Sequence, residues 1–292
     1  MAKQNEIDYL DTWLKRFDAA DADHALEVAR DKPYAFGGEC GGYLIDIGSI
    51  MKLLPAPPAR LLDLGIGTGW TSAMYARNGY DVVGQDISPA MIALAEKTRA
   101  EIRVQKLRFV ISDYESIGME GEFDCAVFYD SLHHAVVEKA ALKAVFRALK
   151  PGGILITLEP GEGHSTSADT LAAVAQFGTT EKDMPPHHIL EIAKEVGYHS
   201  GKVYAHSSTP IIAYEQDHPP QPPAVPVAPK PVMDRRGKWR RAGSFILGAW
   251  RVLTNPLPAV PESPPEPPPP PVEPLLPAIL RARNIVVMRK PG

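Results

Sequence analysis

The chain has 292 residues, a formal net charge of −4, 45% hydrophobic and 23% charged residues. These values describe a globular protein long enough to bury a sizeable core, in one large or two small domains. They exclude a chain drawn to nucleic acid by a global basic field, and its two distant cysteines, Cys40 and Cys125, exclude a disulfide framework or Cys-x-x-Cys metal site and fit a reducing compartment.

Residues 1–58 read as an N-terminal helical cap or lid. Ile7, Leu10, Leu14 and Phe17 fall at helical spacing, and Leu44, Ile47, Ile50, Met51 and Leu54 repeat the pattern. Tyr34-Ala-Phe36-Gly37-Gly38 breaks the region and is either part of a lid or a turn between helices. Pro55, Pro57 and Pro58 end it. Met1–Leu10 carries acidic residues where a secretion signal needs basic ones, and no uncharged apolar run approaches membrane-spanning length. The expected location is the cytoplasm, with peripheral membrane contact left open.

From Arg60 the period changes. Arg60–Leu64, Asp81–Asp86, Leu107–Ile111, Phe123–Tyr129 and Gly153–Leu158 are short apolar runs, and helical stretches separate most of them: Thr68–Arg77, Pro89–Ala100 and Val136–Leu149. This alternation predicts βαβ units, and unbroken apolar strands predict a parallel sheet covered on both faces. Helices at 170–177 and 186–196 and a strand at 202–206 follow. Between Asp217 and Pro277 lie 19 of the 30 prolines. Proline-rich arms at 219–231 and 256–277 flank a basic, apolar-striped segment, Asp234–Leu253, which includes Arg235-Arg-Gly-Lys-Trp-Arg-Arg241. Because Asn284–Met288 then reads as a core strand, 217–280 is expected to be an insertion, and 59–216 with 281–290 the domain it interrupts. The helix at 234–253 either packs back on its own domain or meets a membrane surface or protein partner.

The residues that carry chemistry follow the first strand. Asp63-Leu-Gly65-Ile-Gly67-Thr-Gly69 sits at a strand-to-helix turn, where glycines allow tight turning and close ligand approach. Its G-x-G-x-G spacing differs from the dinucleotide fingerprint. Asp86 ends the second strand, where a carboxylate can accept from both ribose hydroxyls of an adenosine ligand. Asp113 follows the third strand, within reach of an adenine amine. Asp63 adds negative charge that suits a cationic sulfonium better than a pyrophosphate.

This constellation resembles the class I S-adenosylmethionine-dependent methyltransferases. The matching pieces are the Asp63–Gly69 loop, Asp86, Asp113, Phe123-Asp124 and Leu149-Lys-Pro-Gly-Gly153, over about residues 60–160. The resemblance implies an α/β, Rossmann-like, doubly wound and mostly parallel seven-stranded sheet with an antiparallel last strand. It implies S-adenosyl-L-methionine as cofactor, with S-adenosyl-L-homocysteine as product. Gly65, Gly67 and Gly69 would pass beneath the cofactor's amino-acid part. Asp86 with Ile87 would meet the ribose, Asp113 and Tyr114 the adenine, and Tyr129 and Asp130 the methionine end.

Asp130-Ser-Leu-His133-His134 lies at the carboxyl end of the fourth strand, where ligands bind in open α/β sheets. His133 or His134 is the candidate general base and Asp130 its candidate orienting carboxylate. Glu159 and His164, after the fifth strand, could meet the acceptor. No metal is expected: His187 and His188 point apart on a helix and have no third ligand in view. The expected function is methyl transfer to a small-molecule acceptor, with a sugar or glycan-precursor hydroxyl as the guess from a loose likeness of residues 159–198 to polysaccharide-pathway enzymes. The alternatives are a non-catalytic interaction protein using the proline-rich arms, and a nicotinamide oxidoreductase, which the glycine spacing disfavours.

Overall fold

The computed structural model describes residues 2–208 and 283–292. The expected insertion at 217–280, with its arms and its 234–253 helix, lies outside the described residues. Four helices open the chain: α1 (Ala2–Ile7), α2 (Tyr9–Leu14), α3 (Ala19–Arg30) and α4 (Cys40–Leu53). Then follow β1 (Arg60–Leu64), α5 (Trp70–Arg77), β2 (Asp81–Asp86), α6 (Pro89–Ile102), β3 (Leu107–Ile111), β4 (Phe123–Tyr129), α7 (Glu138–Ala148) and β5 (Leu149–Glu159). Finally come α8 (Ala168–Phe177), α9 (Pro186–Val196), β6 (Ser200–Ala205) and β7 (Asn284–Arg289).

The local causes are visible in the sequence. Ser88 caps α6, its hydroxyl accepting from the Met91 N–H, and Pro89 occupies the first turn, where no N–H is missed. Ser167 caps α8 in the same way, and Gly178 ends it in the left-handed conformation. β5 begins at Leu149 rather than at Gly153. A register shift between Phe123 and Cys125 lets Lys150–Gly153 join the strand, so the Lys-Pro-Gly-Gly turn is the strand's irregular first half.

The seven strands lie in the order β3-β2-β1-β4-β5-β7-β6. All pairs are parallel except β7, which runs antiparallel to both β5 and β6. This is the mostly parallel, doubly wound sheet with an antiparallel last strand that the sequence implies. Leu61 and Leu62 are adjacent and therefore face opposite sides, yet both are fully buried. Leu61 joins Ile47 and Ile50 of α4 and Tyr75 of α5 in one core. Leu62 joins Leu142 and Val145 of α7 and Ile189 of α9 in the other. Burial on both faces explains why these strands read as unbroken apolar runs.

The strand order reverses between the parallel β1 and β4, with β2 and β3 added on one side and β5 on the other, which opens a crevice at their carboxyl ends. The N-terminal helices dock along that edge. The Glu6 carboxylate accepts from the Thr180 N–H at 2.7 Å, Asn5 Nδ2 donates to the Gly178 carbonyl at 2.9 Å, and Ser88 Oγ donates to the Ile7 carbonyl at 2.9 Å. Among the described residues no helix is long and apolar enough to cross a membrane.

Candidate active site

The three glycines of the β1–α5 turn all have positive φ, but for different reasons. A Cβ on Gly65 would lie 2.4 Å from the Tyr114 hydroxyl oxygen and 2.5 Å from Ser131 Cβ, so this glycine admits neighbours from the segments that follow β3 and β4. A Cβ on Gly69 would lie 2.8 Å from Ala95 Cβ, so this one admits α6. A Cβ on Gly67 would meet nothing within 4 Å. Gly67 therefore leaves backbone bare beside open space, as close approach by a ligand requires.

That space is two cavities that share Gly65, Gly67, Met91 and Asp130. The first is also lined by Asp86, Ile87, Asp113, Tyr114 and His134. The second is also lined by Asp63, Trp70, Tyr129, Lys32 and Phe36. The cofactor candidates, Asp130 and His134 thus meet on one cleft; Gly69, His133, Glu159 and His164 line neither cavity.

Asp86 is buried, and both its oxygens already accept backbone hydrogens: Oδ2 from Gly67 at 2.8 Å and Oδ1 from Ser88 at 2.9 Å. Burial pushes its pKa up to about 6, and those backbone hydrogen bonds pull against the shift. A carboxylate has lone pairs beyond the two engaged here, so it can accept further hydroxyls from the cavity. Asp63 is raised to about 6 by the same cause. It accepts from Thr71 Oγ1 at 2.7 Å and Ser72 Oγ at 2.6 Å, which fastens the first turn of α5 to β1. Asp113 is paired with Lys3, and its Oδ1 accepts from the Glu115 N–H at 2.9 Å.

Tyr129 offers its ring to the second cavity while its hydroxyl donates to the buried Asp46 at 2.8 Å. Asp46 also holds His206 at 2.6 Å and Arg283 at 3.3 Å. Arg283 in turn lies 3.4 Å from Asp130 Oδ1. Burial alone would raise the Asp130 pKa, but Arg283, His133 and Lys32 together hold it below the usual carboxylate value. Asp130 itself has φ +54, a left-handed turn that carries the chain off β4.

The turn that follows is built on Glu159, at the end of neighbouring β5. Its carboxylate accepts from the N–H groups of Ser131 at 3.1 Å, Leu132 at 2.9 Å and His133 at 3.3 Å. It also meets His133 Nδ1 at 2.7 Å. The carboxylate that orients His133 is thus Glu159 and not Asp130, which makes no hydrogen bond to either histidine. Register explains it: β4 and β5 are parallel with Tyr129 opposite Leu158, so Glu159 lies beside the chain as it leaves β4. Burial lowers the His133 pKa, but the Glu159 hydrogen bond and the charges of Glu159, Asp130 and Glu181 raise it overall. His134 is half-buried, lines the first cavity, and places Nδ1 2.7 Å from the Thr180 carbonyl.

Sequence reasoning missed several cleft residues. Lys3, Glu6 and Tyr9 line the first cavity from the N-terminal helices. Lys32 lines the second, its ammonium 4.2 Å from the Tyr43 ring centroid and 5.2 Å from that of Trp70. Burial lowers its pKa, opposed by the charge of Asp130. Only their distance along the chain hid them; the helical period of residues 1–17 marked the segment but not its docking.

Residues 62–157 match the family model described as a methyltransferase domain. The chain is 35% identical over 109 residues to the demethylmenaquinone methyltransferase of Thermus thermophilus, covering 36% of this chain and 49% of that one. It is 27% identical over 162 residues to phosphoethanolamine N-methyltransferase 2 of Caenorhabditis elegans, covering 54% and 37%. It therefore spans less than half the length of these curated relatives. The solved structure of Haemonchus contortus phosphoethanolamine N-methyltransferase 2 in complex with S-adenosyl-L-methionine shares its fold, with a TM-score of 0.52 at 18% identity, over 85% of this chain and 52% of that one. Residues 62–157 are therefore similar to a methyltransferase domain, and the sheet shares the fold of that solved methyltransferase.

Proposed function

We propose that the cleft binds S-adenosyl-L-methionine and that the protein transfers a methyl group to a small-molecule acceptor. The observation that carries this reading is the bare backbone of Gly67 between two joined cavities, with the Asp86 carboxylate at its side. Asp86 would hold the ribose hydroxyls, with Ile87 alongside. Asp113 and Tyr114 would take the adenine. Gly65 and Gly67 would pass beneath the amino-acid part, whose carboxylate would face Lys32 and whose ammonium would face the acidic side of the second cavity, Asp63 and Asp130. Gly69 would serve the turn through its packing on α6.

S-adenosyl-L-methionine, when bound, supplies an electrophilic methyl on a sulfonium and leaves S-adenosyl-L-homocysteine. The protein's own work is to position, to exclude water and to handle a proton. His134 is the base we assign, because of the two histidines it alone lines the cavity. Its Nδ1 faces the Thr180 carbonyl, which can only accept, so Nδ1 carries the hydrogen and Nε2 is left to take a proton. His133, held between Glu159 and Glu181, fixes the turn that carries His134. A base has its use where the nucleophile must lose a proton, so a hydroxyl acceptor fits, a sugar hydroxyl among them. Calorimetric titration with S-adenosyl-L-methionine, S-adenosyl-L-homocysteine and NADH tests the cofactor. Binding of the first two alone is expected, and binding of neither would overturn the proposal.

A further inference from the structure

The two strands that bound residues 209–282 meet at one point of the sheet. β6 and β7 pair antiparallel with Ala205 opposite Asn284, so the residues one step beyond, His206 and Arg283, leave the sheet side by side. Both reach one carboxylate, the buried Asp46 of α4: His206 Nε2 lies 2.6 Å from Oδ1, and Arg283 Nη1 lies 3.3 Å from Oδ2. The Tyr129 hydroxyl donates to that same Oδ2 at 2.8 Å, and the Arg283 guanidinium carbon stands 5.4 Å from the centroid of the Tyr129 ring. Arg283 is thus braced by a buried anion and by an aromatic face.

The other terminal nitrogen of the fork serves the cleft. Nη2 lies 3.4 Å from Asp130 Oδ1. Asp130 needs such a partner. Its φ of +54 is a conformation that residues with a Cβ adopt at a cost. Its N–H is tied to the Leu158 carbonyl at 2.9 Å, but among the described residues Arg283 is the only ion-pair partner of its carboxylate. Lys32 lines the second cavity together with Asp130 and offers the opposite charge there.

The amino-acid end of S-adenosyl-L-methionine is a zwitterion. Recognising it takes an anion for the ammonium and a cation for the carboxylate, held so that they do not neutralise each other. Asp130 and Lys32 are that anion and that cation. Without a second cation behind it, the Asp130 carboxylate would be drawn to the Lys32 ammonium, and both would be lost to the ligand. We propose that Arg283 is a positioning residue, which, braced by Asp46 and Tyr129, holds the Asp130 carboxylate apart from Lys32 so that the pair can recognise the cofactor's amino-acid end. This role rests on the cleft being an S-adenosyl-L-methionine site. A lysine at the same place could not fill it, because a single ammonium cannot present two nitrogens to two carboxylates and stack on a ring as well. The role also ties the chain on either side of residues 209–282 to the cofactor, since His206 and Arg283 share Asp46.

The test is calorimetric titration of the full chain with S-adenosyl-L-homocysteine and with methylthioadenosine. The second ligand keeps the adenosine and a thioether sulfur but lacks the amino-acid chain. Contacts to ribose and adenine serve both, so the ratio of their affinities isolates the amino-acid end. The parent is expected to prefer S-adenosyl-L-homocysteine. Arg283→Gln should cut that preference about tenfold, the loss of one charged hydrogen-bonding partner, and leave methylthioadenosine binding unchanged. Arg283→Lys should fall between the two. Asp130→Asn should cut the preference as well, and adding Arg283→Gln to it should cost nothing further, because one residue acts through the other.

A purely structural role predicts otherwise, with both ligands weakened alike in Arg283→Gln, and that result overturns the proposal. So does a parental preference in Arg283→Gln, or in Arg283→Lys if the glutamine variant does not fold. Losses that multiply in the double variant overturn the route through Asp130. A parent that binds both ligands equally well overturns the proposal and leaves the adenosine site standing. A parent that binds neither removes the cofactor reading, and this role with it.

Discussion

Replacing Asp86 by asparagine keeps the shape of the side chain and removes its charge. Both oxygens accept a backbone hydrogen, from Gly67 at 2.8 Å and Ser88 at 2.9 Å, so the new amide group must turn its NH2 against one of those donors. An unmet buried donor costs about 1–3 kcal/mol. Against this, the carboxyl is raised from 3.8 to about 6 by burial, so keeping it ionised in the fold costs about 3 kcal/mol, which the variant no longer bears. The two effects offset, and stability at pH 7 should change little. Cofactor affinity should not be spared. Hydrogen bonds to a charged acceptor contribute about 1.5–3 kcal/mol, so S-adenosyl-L-methionine should bind about 10–100-fold more weakly.

The pH dependence has a definite sign. Between about 4 and about 6 the native carboxyl holds its proton more tightly than the unfolded one, so this group makes stability fall as pH rises through that window and level off above it. Cofactor affinity of the parent should rise over the same window, because the carboxylate is the binding form. In Asp86→Asn that rise should be gone. Calorimetric titration between pH 5 and pH 8 (about one unit below the shifted pKa to two above), with urea unfolding alongside, reads both effects. A folded variant with parental affinity would remove Asp86 from the site.

Other perturbations separate binding, chemistry and folding. Gly67→Ala should weaken cofactor binding with a stability loss of only about 1–2 kcal/mol from its positive φ, whereas Gly69→Ala, driven against Ala95, should lower the melting temperature more; equal melting losses in the two would contradict the division. His134→Ala should lower kcat by about 100-fold or more while the cofactor Kd stays near the parent value, and unchanged turnover on an oxygen acceptor would end its role as base. Deleting residues 219–276 with a short linker should leave a folded, cofactor-binding domain, since β6 and β7 already pair antiparallel with Ala205 opposite Asn284; insoluble protein would place the segment in the core.

The sequence by itself determined the sheet and the front of the cleft. Apolar runs such as Leu61-Leu62, buried on both faces, can only be strands between two helical layers, and the Asp63–Gly69 turn and Asp86 are close in sequence to the strand ends that position them. Periodicity also marked the N-terminal helices, but not that Lys3, Glu6 and Tyr9 would line the cavity. Only the tertiary structure decided that, and it alone showed that Glu159, not Asp130, holds His133. The cause is physical: a turn or a strand is specified by neighbours along the chain, whereas a carboxylate finds its partner through strand register and loop docking. Glu159 reaches His133 because β4 and β5 lie side by side, and Glu181 reaches His164 because two loops close over the same edge.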